Sequence, residues 1–181
     1  MFKRKIDRLI SILKQKTIKA SMLPWVKQEA VCFTECVWGS LLSHAENYSA
    51  YGIGFSKEYI FNLGGNPIFY VRPKLYENQQ WDDKVRIFTS PFLPEYSQEK
   101  MKSTPNAKMV DYTHEREWRL PNELNFELAD IEFVILKSHK DIKLIPQTTI
   151  KAVGEQKFIF MENYQMVEKI WPLHKVETSN N

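Results

Sequence analysis

The stretch that decides the fold reads His114-Glu115-Arg116-Glu117-Trp118-Arg119 and stops at Leu120-Pro121. Read as a β-strand, its side chains alternate between faces. Glu115, Glu117 and Arg119 then share one face, and His114, Arg116 and Trp118 share the other. Two carboxylates and a guanidinium on one strand face are costly to bury without partners. That face is therefore either solvated or a site.

Working outward from it, residues 131–136 (Ile-Glu-Phe-Val-Ile-Leu) read as a second strand, and Ile142 to Ile145 and Ile150 to Val153 as short strands or edges. Phe158 to Lys169 has the composition of a closing helix. Towards the N-terminus, Ile68 to Arg72, Tyr51 to Phe55 and Ala30 to Thr34 are apolar runs of strand length, the first preceded by the turn Gly64-Gly65-Asn66-Pro67. Gly39 to Tyr48 has helical spacing, Lys57 to Asn62 reads as a helical turn, and Val85 to Phe88 fits a strand or a helix end. Residues 5–16 place Ile6, Leu9, Ile10 and Leu13 on one helical stripe, which predicts an amphipathic helix docked on a core. Ser97 to Asp111 reads as a surface loop. Helices near the start followed by many short strands predict an α+β fold, in one domain spanning residues 1–181.

Composition narrows the function classes. The chain has 181 residues, 43% apolar and 13% aromatic. It has no run of about 18 apolar residues, so no membrane span is expected, and its start lacks a secretory signal. Cys32 and Cys36 are too few for a disulfide framework, and on a strand they would stand about 13 Å apart. A reducing cytoplasm is the expected location. Net charge is +3 but uneven. Residues 1–28 hold Lys3, Arg4, Lys5, Arg8, Lys14, Lys16, Lys19 and Lys27 against Asp7 alone, a basic lobe suited either to solvent or to nucleic acid or an acidic partner.

Several chemistries find no support. His44, His114, His139 and His174 lack metal-ligand spacing, and no metal is expected. There is no Gly-x-Ser-x-Gly elbow, and a cysteine in an apolar strand reads as core. Gly52-Ile53-Gly54 and Gly64-Gly65-Asn66 do not continue as a phosphate-binding loop. The carboxylate strand keeps two readings. One is a solvated ion-pair ladder. The other is a glutamate that opposes positive charge at an anomeric carbon during glycosidic cleavage.

Taken together, Val31-Cys32-Phe33-Thr34-Glu35, then His44 and Tyr48, then Tyr51-Gly52-Ile53-Gly54-Phe55-Ser56-Lys57, then Pro67 to Val71, then Glu115 to Arg119, resemble the AbiGi family, the antitoxin half of an abortive-infection phage-resistance system. The resemblance runs from about residue 5 to 155. More distantly, the layout resembles DarT-like ADP-ribosyltransferases. That second resemblance implies a split β-sandwich with N-terminal helices that binds NAD in a cleft. It implies Glu117 as catalytic glutamate with Glu115 beside it, and Thr34, His44, Tyr48, Tyr51 and Arg119 around the cofactor. The chemistry implied is loss of nicotinamide and capture of the ribose by nucleic acid or protein. The His-x-Thr element that opens such enzymes has no counterpart in Phe2 to Leu9. That departure favours either a site completed differently or a non-catalytic antitoxin or regulatory module that keeps the fold, with a cognate toxin or antitoxin as partner.

Overall fold

A computed structural model describes residues 5–35, 45, 48–94 and 111–170. The strands in chain order are β1 (Thr17–Ile18), β2 (Ser21–Leu23), β3 (Gln28–Thr34), β4 (Gly52–Gly54), β5 (Asn66–Pro67), β6 (Phe69–Val71), β7 (Thr89–Pro91), β8 (Glu117–Pro121), β9 (Leu124–Asn125), β10 (Phe133–Leu136) and β11 (Phe158–Phe160). The described α-helices are α1 (Lys5–Gln15), α2 (Lys57–Asn62), α3 (Pro73–Glu77), α4 (Asp83–Arg86), α5 (Gln147–Val153) and α6 (Met161–Ile170). The α+β class expected from the sequence is what forms. The chain packs as two compact units, each assembled from separated stretches.

The first unit comprises residues 1–17, 37–56 and 126–181. Helix α1 forms where the apolar stripe predicted it, with Ile6, Leu9 and Leu13 buried. The unit's sheet has the order β11-β10-β4. The central strand β10 buries Val134, Ile135 and Leu136, and runs parallel to β11 and antiparallel to β4. A parallel neighbour needs a crossover. Here it is supplied by a 3₁₀ turn (His139–Leu144) and α5. Gly54 faces Phe133 so closely that a Cβ there would lie 2.3 Å from the ring, which accounts for a glycine at that position.

This crossover corrects three expectations. Residues 142–145 belong largely to the 3₁₀ turn, and 150–153 to α5. Ser138 and Asp141 form a capping box that starts the turn. Ile150 and Val153 are both buried and three residues apart, a helical interval that their β-branched character obscured. The closing helix begins at Met161 rather than Phe158, because residues 158–160 pair with β10 instead.

The second unit comprises residues 18–36 and 57–125. Its main sheet has the order β2-β3-β8-β5 with antiparallel pairs throughout. Strands β6 and β7 form a separate parallel pair. Leu23, Val26, Ala30 and Ile87 make a buried cluster, against which Trp25 and Phe88 pack. The expected segments Gly39 to Tyr48 and Ser97 to Asp111 fall largely outside the described residues.

Candidate functional site

The sequence Thr113-His114-Glu115 forms a 3₁₀ turn, and Arg116 closes it in the left-handed conformation at φ 47°. Asp111 prepares that turn by accepting from the backbone N–H of Thr113 (3.1 Å) and from its hydroxyl (2.7 Å). These two bonds hold the Asp111 carboxyl below its ordinary value. Strand β8 therefore starts at Glu117, inside the stretch read as a strand from the sequence, and Glu115 lies off the strand.

Directly paired residues of neighbouring strands share a face. The pairings Thr34 with Glu117, Cys32 with Arg119, and Arg119 with Asn66 put these five residues on one side. Phe33, Trp118 and Pro67 stand on the other. The expected sharing of a face by Glu117 and Arg119 is thus observed.

Arg119 is 5% exposed. Its Nε donates to Glu117 Oε1 at 2.7 Å, and its Nη2 to Glu117 Oε2 at 3.4 Å. Its Nη1 donates to the carbonyls of Ile87 (2.7 Å) and Thr89 (2.8 Å). Four of the five guanidinium N–H groups are thereby engaged. The pair braces β8 against the segment that enters β7. The Glu117 side chain keeps only 14% of its surface open.

Three more groups surround this pair. The Thr34 hydroxyl donates to the Glu115 carbonyl at 2.5 Å, so Glu115 is fixed here through its backbone. The Tyr70 hydroxyl donates to the Tyr112 carbonyl at 2.8 Å. Burial raises the Tyr70 phenol, and the carboxylates of Glu117 and Glu115 add to that against the Glu117 backbone and Arg119. Cys32 is exposed rather than the core residue expected. Even so, protein crowded around its sulfur and the neighbouring Glu117 carboxylate push the thiol up to about 12. For a residue open to water, the carboxylate is the firmer of the two causes, since it acts without burial. This thiol is a poor nucleophile at neutral pH.

The opposite face carries a second hub. Glu35 Oε1 accepts from Arg116 Nη2 (2.6 Å) and Lys57 Nζ (3.2 Å), and Oε2 accepts from Trp118 Nε1 (3.2 Å). The bond from Lys57 is the main cause of a lowered Glu35 carboxyl, helped by Trp118 and Arg116. Glu35 follows the alternation of Val31 and Phe33, so its face was readable from the sequence, whereas the pairing of Phe33 with Trp118 that brings the indole to it was not.

The structure gathers Thr34, Glu117 and Arg119, with the Glu115 backbone, in the second unit. Tyr48 and Tyr51 belong to the first. There the Tyr48 carbonyl accepts from Lys5 Nζ, and the Tyr51 hydroxyl donates to Asp141 at 3.2 Å. His44 lies outside the described residues. Among the described residues, no three His, Cys, Asp or Glu side chains are grouped to hold a metal ion. No helix among them is long and apolar enough to cross a membrane.

A family model described as "Putative abortive phage resistance protein AbiGi, antitoxin" matches residues 7–153. No curated protein and no solved structure matches the chain.

Proposed function

We propose that this chain, which belongs to the AbiGi family of abortive phage resistance antitoxins, restrains a cognate toxin by binding it and carries out no chemistry of its own. The observation that supports this reading is the Glu117–Arg119 pair. A carboxylate able to oppose a sugar cation needs an oxygen free to face it. Both oxygens of Glu117 are turned to a guanidinium that is itself anchored on two backbone carbonyls. The local charge is already balanced, and the geometry suits a brace.

A second reading, NAD-dependent ADP-ribosyl transfer with Glu117 and Glu115 as catalytic groups, draws on the enclosure of Glu117 next to the Tyr70 phenol. It requires the ion pair to open when substrate enters.

Co-expression with a cognate toxin separates the two. On the binding reading, the wild-type chain restores growth, and a folded Glu117→Gln variant restores it equally. On the enzymatic reading, the chain alone slows growth, NAD gives heat in a calorimetric titration, and Glu117→Gln abolishes both effects. Failure of the wild-type chain to restore growth would sink the antitoxin reading.

A further inference from the structure

In the first unit, the crossover between β10 and β11 opens with Lys137-Ser138-His139-Lys140-Asp141-Ile142-Lys143-Leu144. Lys137, Lys140 and Lys143 are all exposed. They recur every three residues, and residues 139–144 form a 3₁₀ helix. Such a helix has about three residues per turn and rises about 2 Å per residue, so Lys140 and Lys143 lie on one edge about 6 Å apart. Lys137 stands one interval earlier, at the foot of the turn.

The acidic groups of this segment are used internally. Asp141 Oδ2 accepts from the Ser138 backbone (3.0 Å), the Ser138 hydroxyl (3.3 Å) and the Tyr51 hydroxyl (3.2 Å). Glu162, at the start of α6, is within electrostatic reach of Lys140. Its Oε1, however, accepts from the His139 backbone at 2.7 Å and meets the His139 ring, which stacks on Phe160. Among the described residues, no carboxylate forms an ion pair with any of the three lysines. Asp141 is half-buried and spent on hydrogen bonds, Glu162 is partly exposed but taken up by His139, and the three ammonium groups face outward.

We propose that the turn Lys137–Leu144 is a docking edge for the phosphate backbone of a nucleic-acid strand. Two ammonium groups one 3₁₀ turn apart, with a third exposed lysine just before the turn, fit a polyanion whose own charges repeat closely along a strand. Lysines act as point charges without the planar fork that reads base edges, so binding would be to phosphates and independent of sequence. This site differs from the basic N-terminal residues and does not depend on the antitoxin reading.

The test uses the full chain and a fluorescein-labelled single-stranded oligonucleotide, followed by anisotropy across a salt series. A Lys137→Gln/Lys140→Gln/Lys143→Gln variant should bind roughly tenfold more weakly at low salt. Its slope of log affinity against log salt should shrink by about 2, at ~0.7 for each phosphate that is no longer neutralised. A control variant, Lys19→Gln/Lys74→Gln/Lys84→Gln, removes the same charge from exposed positions of the other unit and should keep the wild-type slope. Equal weakening by both variants would overturn the proposal, as would absence of binding at low salt. Displacement of the oligonucleotide by polyglutamate as effectively as by unlabelled strand would overturn it in favour of an acidic protein partner.

Discussion

Glu117 and Arg119 stand two residues apart on β8 and close a two-pronged ion pair on one face of the sheet. Both side chains are largely shielded from water, at 14% and 6% exposure. The pair therefore behaves as a buried one: removing a single partner strands the other. Arg119→Met leaves the Glu117 charge unpaired and orphans the Ile87 and Thr89 carbonyls. The expected cost is about 3–5 kcal/mol, read from urea unfolding midpoints. The double variant Glu117→Gln/Arg119→Met should lose less than the sum of the two single losses, because the stranded charge is gone. Additive losses would show that the pair does not couple.

The Cys32 thiol offers an independent probe of the same carboxylate. Glu117→Gln removes one cause of its raised value, so alkylation by iodoacetamide at pH 8.5 should speed up in a Cys36→Ser background. The sign of the linked stability follows from the raised value. The folded state holds this proton more tightly than the unfolded state, whose thiol titrates near its ordinary 9.0. The contribution is complete below that value and fades as pH climbs from about 9 to about 12. An unchanged alkylation rate in Glu117→Gln would place the thiol out of the carboxylate's reach.

Glu35 contributes to the acid limb, beside Asp111 and Glu162, whose carboxyls are also lowered. Its carboxyl is lowered, chiefly by Lys57, so its contribution is present above the ordinary carboxylate value of 4.5 and is lost as pH falls through the lowered folded value. Glu35→Gln should make the unfolding midpoint less sensitive to pH below 4.5 while lowering it at neutral pH. Acid limbs that superimpose for the variant and the wild type would show that Glu35 contributes nothing beyond Asp111 and Glu162.

Arg116 is a non-glycine residue at φ 47°, and its side chain is tied to Glu35. Arg116→Gly relieves the left-handed strain and forfeits an exposed ion pair, each about 1 kcal/mol or less. Its unfolding midpoint should stay close to wild type. Arg116→Val loses the pair and keeps a worse strain, at a cost of about 1–2 kcal/mol. Equal midpoints for the two variants would argue against the left-handed conformation.

In the first unit, Gly52 and Gly54 of the same short strand should respond differently. A Cβ at Gly52 meets Ile135 at an ordinary 3.6 Å, whereas at Gly54 it strikes the Phe133 ring at 2.3 Å. Gly54→Ala should cost about 1–3 kcal/mol, and Gly52→Ala well under that, in thermal unfolding. Tolerance of both would mean that the Phe133 ring moves aside freely.

What the sequence disclosed followed from periodicity over enough residues. Ile6, Leu9 and Leu13 drew α1, and the uninterrupted apolar run of residues 133–136 drew the buried central strand β10. Two-residue alternation put Glu117 and Arg119 on one face. The same alternation misplaced Glu115, because the left-handed turn at Arg116 interrupts the period and nothing in the letters marks it. Phe158 to Phe160 read as helix because their partner is β10, more than twenty residues earlier, and pairing at that separation leaves no local trace. The role of Arg119 as a brace was equally hidden, since two of its acceptors are backbone carbonyls from a segment thirty residues away.

The discontinuous make-up of the two units bears on synthesis. As the chain emerges from the ribosome, everything the second unit requires is available once residue 125 has appeared. The first unit must wait for β10, β11 and α6, which are translated after residue 125. Until then, the apolar stripe of α1 has been made but lacks much of the unit that will cover it. A nascent chain stalled shortly after residue 125 would carry one finished unit and one greasy helix, and that helix is a natural foothold for a chaperone.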